Sequence, residues 1–267
     1  KKEINRTAVL FGYPDYNMMT TGTTEVTAKT EPVAAGDIYL NPDATRGSGF
    51  GLLPGTKEET ETVAALLNDN GWNTEVYLFD NAVESKIKQV NAPGILTVST
   101  HGYFSPAPGK NYTESRLMGI ETSKAAENPL LRSGLLLAGA QSFLNASEDE
   151  KSRFRENGIL TAFEASQLNL YRTDLVILSA CETGLGEVNN GEGVFGLQRG
   201  FLLSGAGSVL MSLWKVDDKA TKELIIEFMK NYIKGESKST ALRNAQLKLM
   251  KTMPSPYYWG AFVLVGM

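Results

Sequence analysis

One unbroken apolar run, Leu175 to Leu178, constrains the fold of this chain more than any other stretch. Four consecutive apolar residues that end on small ones are typical of a strand with both faces buried, as in the middle of a parallel sheet. Ser179 and Ala180 follow, and then Cys181, the single cysteine among 267 residues. Because open α/β sheets carry their functional groups at the carboxyl ends of central strands, we expect Cys181 at such an end.

The rest of the chain alternates between strand-like and helix-like segments. The apolar pattern predicts further strands over 7–11, 74–79, 94–100, 208–214 and 259–265. It predicts helices over 56–69, 82–90, 161–168, 194–203, 219–233 and 239–250. Thr56 and Glu59 have the spacing of a capping box, which predicts Thr56 as the N-cap of the first long helix. Strand–helix–strand alternation indicates the α/β class, with a mostly parallel sheet flanked by helices.

Two stretches interrupt this alternation. Residues 15–50 are rich in threonine and in turn-forming residues, and we expect a long loop there, with a weak hairpin near residues 38–40. Residues 103–160 hold two short apolar pieces and a charged tip, and we interpret them as an insertion carrying a hairpin, not a core unit. We expect residues 1–267 to form a single domain. Since the chain starts at Lys1, close before a strand, we expect it to be excised from a longer protein.

Composition excludes several classes of function. The formal net charge is −4, so the chain lacks the basic field that direct nucleic-acid binding requires. No apolar run approaches the length of a membrane span, and we expect no membrane association. A single cysteine forms no internal disulfide, which predicts a reducing compartment such as the cytoplasm. One histidine, one cysteine and no spaced carboxylate cluster predict neither a metal site nor a cofactor.

The single histidine and the single cysteine both follow apolar strands. His101 comes after the predicted strand 94–100, and Cys181 after the run that ends at Leu178. Each alone has a structural explanation, as a satisfied histidine or a small buried hydrophobe. Because parallel strands end at the same sheet edge, the pair predicts a dyad with Cys181 as nucleophile and His101 as its base. The N–H groups of Gly102 and Cys181 are then candidates for an oxyanion hole.

A competing motif lies ten residues beyond the cysteine. Residues 191–196 match G-x-G-x-x-G letter for letter and precede a predicted helix, with Asp217 about twenty residues further on. In a dinucleotide-binding fold, however, this motif begins directly after its strand. Glu192 would also place a carboxylate beside a pyrophosphate. A dinucleotide-binding domain is therefore kept as a minor alternative.

Asp217 and Asp218 follow the predicted strand 208–214. The simple interpretation is that one of them caps the next helix, where a negative charge is favourable. The other interpretation is that two carboxylates near the predicted catalytic edge bind a basic side chain. The two roles are compatible, because one aspartate can cap the helix while the other faces a pocket.

Five separated motifs occur in an order that resembles the CHAT domain, a caspase-like peptidase domain associated with TPR repeats and related to separase. The motifs are Ser99-Thr-His101-Gly102, Leu178-Ser-Ala-Cys181-Glu-Thr-Gly, Gly191-Glu-Gly193-Val-Phe-Gly-Leu, Gly205-Ala-Gly-Ser-Val and Ser212-Leu-Trp-Lys-Val-Asp-Asp218. The resemblance covers about residues 50–267. It implies a caspase-like, mostly parallel sheet flanked by helices, and a cysteine endopeptidase that acts on protein substrates.

The resemblance also implies roles for individual residues. Ser179 would line the pocket for the P1 side chain, and Asp218, with Asp217 beside it, would recognise a basic P1 residue. Ser212 and Trp214 would lie on a strand that pairs with an extended substrate. An N-terminal TPR or sensor region, or a separate regulatory protein, would switch the enzyme on. The alternative within the same fold is a catalytically silent interaction module.

Overall fold

The computed structural model describes residues 5–19, 49–105, 116–118, 120–179, 194–214 and 216–266. The strands are β1 (Thr7–Pro14), β2 (Asn73–Phe79), β3 (Ile95–Ser99), β4 (Gly102–Phe104), β5 (Arg116–Leu117), β6 (Ile120–Glu121), β7 (Ser133–Leu136), β8 (Ile159–Thr161), β9 (Leu175–Ser179), β10 (Ser208–Ser212) and β11 (Phe262–Gly266). The helices are α1 (Pro54–Asp69), α2 (Glu84–Lys88), α3 (Thr122–Glu127), α4 (Ala140–Asn145), α5 (Glu148–Lys151), α6 (Ala162–Ala165), α7 (Val194–Leu203), α8 (Asp218–Ile233), α9 (Lys238–Thr252) and α10 (Pro256–Trp259).

The central sheet has six strands in the order β11–β10–β9–β3–β1–β2. The pairs β10–β9, β9–β3, β3–β1 and β1–β2 are parallel, and β11 alone runs antiparallel to β10. The predicted α/β class with a mostly parallel, helix-flanked sheet is confirmed. The predicted strand 259–265 begins later than expected, because Pro256 and the three aromatic residues after it form α10.

Alternate residues of the central strands face two separate hydrophobic cores. On one face, Ile95, Leu175 and Ile177 pack with residues of α1, α8 and α9. On the other face, Val98 and Leu178 pack with α7 and with the second sheet described below. Both faces are therefore covered, which explains the unbroken apolar run of β9.

The insertion builds more than the expected hairpin. Strands β4, β7 and β8 form a second, antiparallel sheet in that order, and β5 pairs with β6 as a small hairpin. Leu135, Leu137 and Leu160 are fully buried in the same core as Val98 of the central sheet. The interpretation that the insertion lies outside the core is therefore wrong for β7 and β8.

The start of α1 differs from the predicted capping box. The helix begins at Pro54, with Leu53 in the N-cap position, so Thr56 lies inside the first turn. The Thr56 hydroxyl donates to the Leu53 carbonyl over 2.7 Å and does not cap the helix. Proline is well suited to the first helical position, because its missing N–H would have no intrahelical partner there.

One face of α1 is buried at helical spacing. Its members are Thr56, Glu59, Thr60, Val63, Ala64 and Leu67. The helix lies very close to β1, because a Cβ added to Gly12 would come within 2.1 Å of the Thr60 hydroxyl oxygen. Gly12 in turn pairs with Ser99 of β3. The missing side chain at Gly12 thus lets α1 pack against the carboxyl ends of the central strands.

Candidate active site

The strands β3 and β9 are adjacent, parallel and in register to their last residues. Ser99 lies opposite Ser179, at the point where both strands end. His101 follows β3 by two residues, and in the sequence Cys181 follows β9 by two residues. Cys181 itself lies outside the described residues, so its pairing with His101 stays a prediction. The structure does bring together the two strand ends on which that prediction depends.

The His101 ring is buried and held by a backbone carbonyl. Its Nε2 atom lies 2.9 Å from the Gly51 carbonyl oxygen, and the whole residue is 5% exposed. A carbonyl oxygen only accepts hydrogen bonds, so we assign the proton of the neutral ring to Nε2. This tautomer leaves Nδ1 as the basic nitrogen. The arrangement can therefore orient an imidazole to accept a proton at Nδ1.

Two aromatic rings pack against the imidazole. The ring centroids of Tyr16 and Phe50 lie 5.2 Å and 6.0 Å from that of His101. The Tyr16 hydroxyl also accepts the His101 backbone N–H over 3.3 Å and lies 2.9 Å from the Thr100 hydroxyl. Burial raises the pKa of Tyr16 well above its usual value, so this hydroxyl stays neutral. Residues near the two ends of the predicted long loop thus hold His101 in place.

The backbone around His101 is bonded to the second sheet. The His101 carbonyl accepts the Leu136 N–H over 2.8 Å, and the Thr100 hydroxyl donates to the Leu136 carbonyl. The Ser105 N–H donates to the Arg132 carbonyl over 2.7 Å. The backbones of His101 and Ser105 thus bond to β7 and to the residue before it, with the alternation of an antiparallel ladder. In such a ladder the residue between bonded positions faces the other way, so the Gly102 N–H points away from β7. Gly102 thus presents its N–H on the side opposite the second sheet.

A buried carboxyl group that sequence reasoning missed joins the two strand ends. Glu59 of α1 is 1% exposed and accepts hydrogen bonds from the Ser99 hydroxyl over 2.6 Å and the Ser179 hydroxyl over 2.8 Å. Burial raises the pKa of Glu59 to about 7, and the two serine hydroxyls oppose that rise. Ser179, predicted to line a substrate pocket, therefore directs its hydroxyl to Glu59.

The signal for Glu59 was present in the sequence. The residue lies three positions after Thr56 and four before Val63, so helical spacing places it on the apolar face of α1. A carboxyl group on such a face needs buried partners. The capping-box interpretation instead made Glu59 the partner of an N-cap at Thr56, so Glu59 was not recognised as part of the buried face.

The two aspartates after β10 bond to different helices. Asp217 is the N-cap of α8, and its carboxylate accepts the Ala220 N–H over 3.0 Å. Asp218 is half-buried and accepts the Gly55 N–H over 2.8 Å, at the start of α1. Burial raises the pKa of Asp218, an effect that the Gly55 hydrogen bond opposes. Asp217 therefore caps its own helix, and Asp218 caps another.

Ser212 and Trp214 lie at the end of an internal strand. β10 runs between β9 and β11, Ser212 is buried opposite Phe262, and pairing with β9 ends at Met211. The Trp214 indole N–H donates to the Tyr257 carbonyl over 3.0 Å. Leu213 donates its N–H to Ala261 over 2.9 Å, on the β11 side. An added substrate strand would thus have to pair on the β9 side, beyond Met211.

No metal site is indicated in the described part of the chain. Within that part, no group of three or more His, Cys, Asp or Glu side chains could hold a metal ion. The first three residues of the glycine-rich motif 191–196 lie outside the described residues, which resume at Val194, the first residue of α7. The helices in the described residues are all too short or too polar to cross a membrane.

Part of this chain is similar in sequence to a mammalian tetratricopeptide repeat protein. The chain is 34% identical over 110 residues to human tetratricopeptide repeat protein 28 and 33% identical over 110 residues to the mouse protein. That match covers 40% of this chain and 4% of the length of either relative.

Solved structures of a bacterial proteinase share the fold. The complex of the Porphyromonas gingivalis RgpB pro- and mature domains matches with a TM-score of 0.52 and 10% identity, over 98% of this chain and 47% of that chain. The Arg-specific cysteine proteinase gingipain R matches with a TM-score of 0.50 and 8% identity, over 98% of this chain and 46% of that chain. At such low identity, these matches establish the caspase-like fold alone.

A family model adds the decisive coverage, because it spans both strand ends of the candidate site. The model described as the CHAT domain matches residues 12–267. The chain therefore belongs to the CHAT domain family.

Proposed function

We propose that this chain is a cysteine endopeptidase in which Cys181 is the nucleophile and His101 the general acid and base. The observation that supports it is the register of Ser99 opposite Ser179. Both candidate residues follow those serines by two positions, so short and equal lengths of chain separate them from one sheet edge. A thiol needs a nearby base to become reactive, and the chain contains a single imidazole.

The proposed chemistry follows from the tautomer of His101. Its Nδ1 takes the thiol proton, and the Cys181 sulfur attacks the scissile carbonyl carbon. The N–H groups of Gly102 and Cys181 stabilise the resulting oxyanion. The imidazolium then protonates the leaving amine, which yields a thioester. Water hydrolyses the thioester with His101 again acting as base, and this step restores the thiol.

We further propose that the substrate carries Arg or Lys at P1 and that Asp218 binds it. A half-buried carboxylate at the start of α8 supports this role, since partial burial strengthens its attraction for a cation. Ser179, Asp217, Ser212 and Trp214 are the other candidates for the substrate-binding surface. The similarity to an Arg-specific cysteine proteinase supports the choice of a basic residue.

We also propose that a TPR region, in the same protein or a partner, regulates the site. The human and mouse relatives are named for such repeats, and this chain matches 4% of their length. A reducing compartment, the cytoplasm, would keep the single cysteine available as a thiol.

The test of the proposed function is hydrolysis of fluorogenic peptides that differ only in Arg or Ala at P1. We expect the Arg peptide to be cleaved and both Cys181→Ala and His101→Ala to abolish cleavage. A peptidyl-Arg chloromethyl ketone should alkylate Cys181 in the wild-type chain, as mass spectrometry would show. Cleavage that persists in Cys181→Ala would refute the mechanism. If the wild-type chain shows no cleavage and no labelling, the result would favour the catalytically silent interaction module.

A further inference from the structure

The carboxyl group of Glu59 lies where the pairing of β3 with β9 ends. Ser99 and Ser179 are the last residues of two adjacent parallel strands, and both direct their hydroxyls to the α1 side of the sheet. Both hydroxyls donate to Glu59, one to each carboxylate oxygen. A single side chain from a helix thus connects the two strands where their regular ladder stops.

We propose that Glu59 is a positioning residue for the candidate active site, which fixes the relative placement of the strand ends that lead to His101 and Cys181. This inference rests on the proposed function, because it concerns the same two residues. Beyond Ser99 and Ser179, the chain has two residues in which to direct each group. A small shift between the strand ends therefore becomes a change in the distance between imidazole and thiol, to which rates are very sensitive.

A carboxylate suits this task better than an amide. In its ionised form Glu59 has two oxygens that both accept, so it satisfies two serine donors at once. A glutamine would offer one accepting oxygen and one donating NH2 group. One serine would then have to rotate its hydroxyl, and one of the two short contacts would weaken.

The surroundings of Glu59 keep the ionised form accessible near neutral pH. Burial raises its pKa to about 7, Asp218 adds to the rise, and Lys222 and the two serines oppose it. Asp218 and Lys222 both belong to α8, which packs against α1. Lys222 also bonds to Glu58 over 2.7 Å at the surface. Glu58 carries the same charge one residue earlier and is the matched control.

The experiment measures the reactivity of Cys181 without requiring turnover. Iodoacetamide alkylation of the 267-residue chain reports the single cysteine, and its rate against pH yields the thiol pKa. Glu59→Gln should raise that pKa by about one unit towards the ordinary value of about 8.5 and slow alkylation at about pH 8, where wild-type Glu59 is mostly ionised, by roughly threefold. Glu58→Gln should change the rate by less than about twofold.

The direction of the shift separates positioning from simple electrostatics. If Glu59 acted through its charge alone, its neutralisation would lower the thiol pKa. An unchanged or lowered thiol pKa in Glu59→Gln would therefore overturn the inference. An ordinary thiol pKa already in the wild-type chain would overturn the proposed dyad, and this inference with it. With the Arg peptide, kcat should fall in Glu59→Gln while KM stays within about twofold.

A second pair of variants protects the test against a folding defect at Glu59. Ser99→Ala removes one of the two donors, and Thr97→Val removes a hydroxyl two residues earlier on the same face of β3. The Thr97 hydroxyl is buried and has no hydrogen-bond partner in the described structure. Ser99→Ala should raise the thiol pKa and Thr97→Val should not. Equal effects of both variants would contradict a specific role of the Glu59–Ser99 contact.

Discussion

A carboxyl group that is 1% exposed has almost no water to stabilise its charge, and Glu59 is in this position. Two serine hydroxyls solvate it in place of water, but they do not compensate fully for burial. Its pKa of about 7 compares with 4.5 for an ordinary glutamate. The ionised form thus costs free energy of folding that a purely structural residue would not require. Residues that reduce folding stability in this way are common at functional sites.

The stability of the chain should depend on pH through Glu59. Its folded-state pKa is raised, so the folded state holds the proton more tightly than the unfolded state does. The stabilisation is complete below about pH 4.5 and is lost as pH rises through about 7, with a total change of about 3 kcal/mol. Glu59→Gln should remove this part of the slope, as measured by urea unfolding at about pH 5 and pH 8. The same slope in Glu59→Gln and Glu58→Gln would contradict the assignment.

Asp218 can be tested without disturbing the helix that it caps. In Asp218→Asn the amide oxygen still accepts the Gly55 N–H, so the free energy of unfolding should change by less than about 1 kcal/mol. The charge opposite a basic P1 residue is lost, and the preference for Arg over Ala peptides should fall by roughly tenfold or more.

The matched control for Asp218 is its neighbour. Asp217→Asn makes the same chemical change and preserves the cap on α8, and because the Asp217 carboxylate is engaged in that cap, the P1 preference should fall far less than in Asp218→Asn, by about twofold at most. Comparable losses of preference in both variants would show that the effect comes from general charge. An Asp218→Asn chain with full Arg preference would exclude Asp218 from the P1 site.

At the scale of elements, α1 shows what the sequence could predict and what it could not. The helix and its length follow from periodicity, but its start does not. Thr56 and Glu59 match a capping box, yet Pro54 begins the helix two residues earlier, and Asp218 satisfies the Gly55 N–H. That aspartate lies 163 residues away in the sequence. A local pattern cannot reveal a cap supplied by a distant element.

The contact between α1 and β1 depends on a missing side chain. In Gly12→Ala the new methyl group would lie 2.1 Å from the Thr60 hydroxyl oxygen and 3.1 Å from the Thr56 carbonyl oxygen. We expect a loss of about 2 kcal/mol in the free energy of unfolding, because the helix must move away from the sheet. Thr60→Ala removes the nearer obstacle, so Gly12→Ala combined with Thr60→Ala should lose less than the sum of the single changes. Strict additivity in a urea-unfolding cycle would contradict this packing.

At the scale of the whole molecule, the sequence predicts the class of fold and the parallel core. It also predicts that His101 and Cys181 follow strands that end at one edge, and the register of β3 with β9 supports this expectation. The second sheet was not predicted, because β4 and β8 have three residues each and lack a clear period. Their position is determined by packing against the central core, which a local window of sequence does not contain.

That shared core should make the chain unfold as one unit. Leu135 belongs to the insertion yet is fully buried in the central core, so Leu135→Ala should reduce the free energy of unfolding by about 3 kcal/mol. A single thermal transition should shift as a whole. Tyr171→Ala, at a residue that is 66% exposed, should shift it little. A separate early transition in Leu135→Ala would show instead that the second sheet unfolds independently.

The link between the two sheets consists of Thr100 and His101, and both bond to Leu136 of the small sheet. The backbone of His101 is thus bonded to the small sheet, while in the sequence Cys181 follows a strand of the central sheet. In the proposed dyad, the distance between the two residues would therefore depend on how the two sheets pack against each other. A regulator that binds only the small sheet would therefore change the rate of the proposed reaction without contacting either residue.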